Sequence, residues 1–235
     1  MNELSSPPPM PETGWERMDC GTGRLLRMSR GFSCLFWGLL LIAAMHWVAM
    51  LPEVPVRWRI VAFWVSFLPL VCGLWMLRAC GELTPRWHRK ISRVFLLGFA
   101  GIYLCPFLVW WNAVPAKPYF ALNAGLFILS MIGMLVGLNR LAGESARWMN
   151  DVSLRREAAA GWGMVLWLSV CTFCALGWLY YHAGVLDAGV ETVLAQMAGL
   201  PREARTLFLL PHAMTAYVMW RAKETGFRRT VCPEG

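Results

Sequence analysis

Charge is scarce in this chain. Of its 235 residues only 15% are Asp, Glu, Lys or Arg, where a water-soluble domain carries about 25%. Acidic residues are the scarcer half, 14 against 22 basic ones. With 57% hydrophobic residues and a mean hydropathy of +0.47, the composition excludes a disordered chain and argues against a soluble enzyme domain. Catalytic signatures are missing as well: there is no HExxH, GxSxG, P-loop or dinucleotide-binding fingerprint. No Asp, Glu, Lys or Arg lies deep in a long apolar run, where ion-coupled carriers keep an ionisable group.

What the chain does have is uncharged runs of membrane-crossing length. A helix rises about 1.5 Å per residue, so about 20 residues cross a hydrocarbon core of about 30 Å. The intervals between charged residues predict spans at about 31–52, 58–79, 94–114, 118–140, 160–182 and 204–221. The sixth is the shortest, with 15 uncharged residues between Arg205 and Arg221, and it contains Pro211 and His212. Snorkelling of the two flanking arginines lengthens it. The fold class is therefore all-α: a polytopic membrane protein, a bundle of six transmembrane helices. Residues 1–30 are expected as a disordered, basic tail that opens on Ser5, Ser6 and Pro7–Pro9, and 222–235 as a second tail. The first apolar run is too long for a signal peptide and lacks small residues at a cleavage point.

Orientation follows from the basic residues. With both termini cytoplasmic, 17 of the 22 Lys and Arg fall inside, and only Arg57, Arg59, Lys117, Arg202 and Arg205 fall outside. This places the chain as a multi-pass protein of the cytoplasmic (inner) membrane. The net charge of +8 is then an orientation signal, and no nucleic-acid partner is expected. Trp47, Trp58, Trp110, Trp111 and Trp178 fall near the outer boundary, and Trp75, Trp87, Trp148, Trp162 and Trp220 near the inner one.

Between the spans, Thr84 and Pro85 suit the N-cap and first position of the third helix. The basic and aromatic run that follows, to Arg93, reads first as a solvated helix start and second as a site for anionic lipid. From Val185 to Leu200 the apolar period predicts a short amphipathic helix on the outer leaflet.

Three groups of residues carry candidate chemistry. Cys171 and Cys174 form a CxxC that shares one helix face, and Cys105 on the third span falls at a similar depth. Together they suit a soft metal such as Cu(I). A lone CxxC is weak, however, and cysteine packs well in helix interiors, so packing is the preferred reading. His46 and His212 fall at one depth on the first and sixth spans, as the axial ligands of a b-type haem must, and His182 just above them would complete a transition-metal site. Gly133 and Gly137 form a GxxxG on the fourth span, extended by Ala121 and Gly125. Such a stripe serves a second copy or a partner membrane protein, or equally packing inside the bundle.

The leading expectation is a non-catalytic integral membrane protein that serves as an accessory, assembly or interaction subunit, with the lipid bilayer as its first partner and no cofactor. One alternative is an electron-transfer or metal-binding protein that uses His46 and His212. Another is a small channel or facilitator built on helices kinked at Pro69, Pro106 and Pro211, with Asn112 and Asn123 near its path.

Overall fold

Apolar runs that enter lipid must satisfy every backbone N–H and C=O internally, and a helix does this within one segment. A computed structural model, which describes residues 14–48, 54–81, 83–114, 117–185 and 209–231, is all-helical over these runs. Its helices are α1 (Gly14–Val48), α2 (Val56–Arg78), α3 (Trp87–Ala113), α4 (Pro118–Trp148), α5 (Val152–Val185) and α6 (Leu210–Val231). Five stretches are long and apolar enough to cross a membrane: Thr22–Met45, Val56–Arg78, Trp87–Ala113, Pro118–Trp148 and Val152–Cys174. Large apolar side chains such as Leu68, Leu96, Leu122 and Trp167 lie on the outside of the bundle, as the side chains of a membrane protein do against lipid.

Neighbours in sequence pack as neighbours in space, and α6 closes the bundle by packing on α1, α4 and α5. α1 and α2 approach backbone to backbone. A Cβ on Gly73 would lie 2.7 Å from the carbonyl oxygen of Gly31, and one on Gly38 would lie 2.8 Å from the backbone nitrogen of Leu70. Gly31 and Gly38 are two helical turns apart on one face, so both let the α2 backbone come close. On α4, Gly137 faces Val94 and Gly133 faces Leu97. The inner part of the GxxxG stripe is thus filled by α3 within the chain, while Gly125 has nothing within 4 Å.

Pro106 sits inside α3 and has no N–H to offer the carbonyl of Ile102. That carbonyl accepts instead from Trp64 Nε1 on α2, at 3.2 Å, and from the Cys105 thiol, at 3.3 Å. The proline that interrupts one helix therefore fastens it to the next.

The turn from α4 to α5 is built from capping chemistry. Asn150 takes φ 50°, the left-handed conformation that ends many helices. Its N–H donates to Arg147 O at 3.1 Å, and that of Asp151 donates to Ala146 O at 2.9 Å. Asp151 then caps α5 by accepting from Leu154 N at 2.9 Å. Gly81, at φ 80°, makes the left-handed residue after α2.

Several helices run past the expected bounds. Residues 14–30, expected as tail, are the start of α1; α5 begins at Val152 rather than near 160; and α6 continues through 222–231. The extensions persist because they cover each other: Gly226 of α6 packs against Ser29, Leu25 and Met28 of α1. Thr84 does not cap α3, which begins at Trp87 after Arg86. Trp87, expected near the inner boundary, is fully buried, with its Nε1–H donating to Leu77 O at 3.3 Å. Trp111, placed at the outer boundary by the sequence, is also buried. The amphipathic segment 185–200 lies outside the described residues beyond Val185, which ends α5.

Ser29 Oγ donates to Lys223 O at 3.0 Å, so the first part of α1 lies beside the last part of α6. From that level, α6 reaches Leu210 after about 20 Å at 1.5 Å per residue, short of a hydrocarbon core of about 30 Å. The rest of the expected sixth span, from 204 to 208, lies outside the described residues.

Candidate functional site

The polar chemistry of the bundle gathers at one end, the end that carries Arg24, Arg78, Lys90, Arg147 and Arg221. Alternation of the helices brings there the starts of α1, α3 and α5 and the ends of α2, α4 and α6.

Asn139 of α4 is completely buried and joins three helices. Its Nδ2 donates to Leu135 O, one turn back, at 2.9 Å, and to Thr215 Oγ1 of α6 at 2.8 Å. Its Oδ1 faces Gly161 of α5, where a Cβ would lie 2.3 Å away, and has no hydrogen-bond partner among the described residues. Five residues further along α4, Glu144 is 5% exposed. It accepts from Lys90 of α3 in an ion pair and from Thr84 Oγ1 at 3.3 Å. A buried carboxylate is tolerable only when paired and hydrogen-bonded, and Glu144 is both.

A second set joins α5 to α6. Arg221 grips Glu157 with two bonds, Nε to Oε2 at 3.1 Å and a terminal nitrogen to Oε1 at 3.3 Å. This two-pronged arrangement is the geometry that guanidinium and carboxylate favour. Thr225 Oγ1 donates to Asp151 Oδ2 at 3.2 Å, so one carboxylate both caps α5 and holds α6. The Arg140 guanidinium lies 5.6 Å from the Trp162 ring centre, a cation–π contact between α4 and α5. Beside these groups lies an open notch of about 220 Å³, lined by Asp151, Arg221, Thr225, Arg228 and Arg229.

Cys80, just beyond α2, completes this end. Its thiol approaches Met76 O at 3.3 Å and Arg24 O at 3.8 Å. Burial pushes its pKa from the ordinary 9.0 up to about 11, against a smaller downward pull from Arg27 and Arg24. The thiol is therefore neutral at physiological pH. Below about pH 9 the folded and unfolded chains both keep this proton, so Cys80 adds no pH dependence. Above it the unfolded chain releases the proton first, and the contribution to stability is lost as pH rises to about 11. Iodoacetamide at pH 7.5 is expected to leave Cys80 unmodified in the folded protein and to label it after denaturation. Equal labelling rates in the two states would contradict its burial.

The sulfur and imidazole candidates are placed differently. Cys105 is buried in α3, whereas Cys171 and Cys174 are exposed on α5. Among the described residues no three His, Cys, Asp or Glu come together in a way that would hold a metal ion, so the three thiols do not form a cluster. His212 is in the first turn of α6, half-buried; His46 and His182 lie on α1 and α5, with side chains outside the described residues. The helices bearing His46 and His212 are neighbours. Measured from the Ser29–Lys223 contact, His46 lies 17 residues outward and His212 lies 11. At 1.5 Å per residue this leaves them about 9 Å apart along the bundle axis. Asn123, expected near a solute path, returns its Nδ2 to Tyr119 O of its own helix at 2.8 Å.

Sequence reasoning missed Glu144, Asp151 and Glu157. A signal was available: acidic residues are rare here, and these three stand among the basic residues that bound the spans. No family model, curated protein or solved structure is similar enough to this chain to count as a match, and the site is read from its own geometry.

Proposed function

We propose that this chain is a six-span, non-catalytic protein of the cytoplasmic membrane, with its basic end inside, acting as an accessory or assembly subunit for another membrane protein. One observation carries the reading. The buried or half-buried polar groups at the basic end are spent on fastening helix to helix: Asn139 to Thr215, Glu144 to Lys90 and Thr84, Glu157 to Arg221, Asp151 to Thr225. A catalytic or transport site instead keeps such groups unpaired beside a cavity, whereas Asp151, Arg221 and Thr225, which line the notch, are engaged in bonds between α5 and α6. Here they produce a rigid polar rim beneath an apolar bundle, which suits a scaffold. The positive-inside rule supports the orientation and a sixth span, because only with a sixth crossing do Arg221, Lys223, Arg228 and Arg229 fall inside.

The test is extraction of the full chain in mild detergent, with mass spectrometry of what remains bound at fixed stoichiometry. A specific membrane protein that co-purifies, and whose level falls when this chain is deleted, is the expected result. A monodisperse protein with no companion, and no change in the membrane proteome on deletion, would overturn it.

A further inference from the structure

The basic notch between α5 and α6 has the chemistry of a phosphate site. Its lining sets three guanidiniums against one carboxylate, and that carboxylate is already engaged with Leu154 N and Thr225 Oγ1. Arg221 is held in place by Glu157 through two of its five N–H groups, so its remaining donors are oriented without further ordering cost. No acidic side chain among the described residues pairs with Arg228 or Arg229.

The sequence around the notch indicates where the phosphate comes from. Trp220 and Arg221 recur seven residues later as Phe227 and Arg228. Seven residues are two helical turns, so an aromatic stripe runs beside an arginine stripe along α6. Trp220 is 40% exposed, and Tyr217, one turn nearer the apolar spans, is 42% exposed and continues the same edge toward the bilayer. A free anion has no use for that edge, whereas a lipid lays its acyl chains along it and its headgroup on the arginines.

We propose that this notch binds the phosphate of an anionic phospholipid from the leaflet at the basic end of the bundle, through Arg221, Arg228 and Arg229. The site requires only that the bundle lie in a bilayer, and it stands whether or not a partner protein is bound. Lipid binding here would seat the end of α6 at the headgroups and add a third component to the contact between α5 and α6.

The test is native mass spectrometry of the full chain in neutral detergent, titrated with phosphatidylglycerol, phosphatidylcholine or inorganic phosphate. The expected result is retention of phosphatidylglycerol over phosphatidylcholine, and no displacement of it by millimolar phosphate. R228Q/R229Q is expected to weaken retention by about 30-fold, since each basic contact near a membrane surface is worth about fivefold. R228K should keep most of it. R86Q/R89Q, which removes the same charge from the exposed start of α3, should leave it unchanged. Equal retention of the two lipids, or equal loss in the two double variants, would overturn the site in favour of general surface charge. Full displacement by inorganic phosphate would overturn the lipid as its ligand. Arg86, Arg89 and Arg228 are exposed and Arg229 is half-buried, and an unaltered unfolding midpoint shows that both double variants remain folded.

Discussion

Replacing Gly73 with alanine is expected to destabilise the bundle by about 1–3 kcal/mol, the range for forcing an atom into a filled interior. The new Cβ would lie 2.7 Å from Gly31 O and 3.0 Å from Leu35 N, both on the α1 backbone. A side chain can rotate out of the way of a methyl group, but a helix backbone cannot, so α1 and α2 must separate along the seam. In lipid this matters more than in water, because the surrounding chains are as apolar as the helix faces and close packing holds the helices together. The loss is therefore spread over every contact that depends on the short interhelical distance, including those at Gly38. Unfolding in mixed micelles with rising SDS would measure it. G125A on α4 is the control: with nothing within 4 Å of that position, alanine should leave stability unchanged or raise it slightly through better helix propensity. Equal midpoints for G73A and G125A would mean that the seam is not tight.

The second large effect is expected at Glu144. E144A should cost about 2–3 kcal/mol, because it leaves Lys90 and Thr84 without their acceptor next to the buried core. The cost is below that of a wholly buried pair because the Lys90 side chain is 32% exposed and its ammonium can turn toward water. The informative comparison is with K90M/E144L. Replacing both partners of a buried pair with apolar groups of similar size is often close to neutral, so this double variant should recover most of the stability lost in E144A. If the two variants unfold together, the ion pair is not what fastens α3 to α4.

The five apolar helices were legible from the spacing of charges alone. The ends of the helices were not legible. Reading a span as the interval between two charged residues ends a helix at each arginine. A helix continues into water for as long as a neighbour covers one of its faces, and Gly226 against Leu25 and Met28 does that for α6 and α1. The same limit hid the polar rim. Arginine is a topology signal when counted, but the pairing of Arg221 with Glu157 joins residues 64 apart in sequence, and that of Thr225 with Asp151 joins residues 74 apart. Only the fold decides such partners. The burial of Trp87 was hidden for a related reason: the arginines beside it suggest a depth, but its partner, Leu77 O, is set only by the fold.

The bond from Ser29 to the carbonyl of Lys223 connects positions 194 residues apart. At a synthesis rate of about 5–20 residues per second, the face of α1 that carries Ser29 and Met28 waits about 10–40 s for its partner to leave the ribosome. During that interval the nascent chain presents an unfilled flank at the membrane, and only the arrival of α6 closes it. Assembly is therefore gated by the synthesis of α6: a ribosome that stalls before it leaves a chain whose helix α1 is visibly unfinished to any insertase or protease that inspects it.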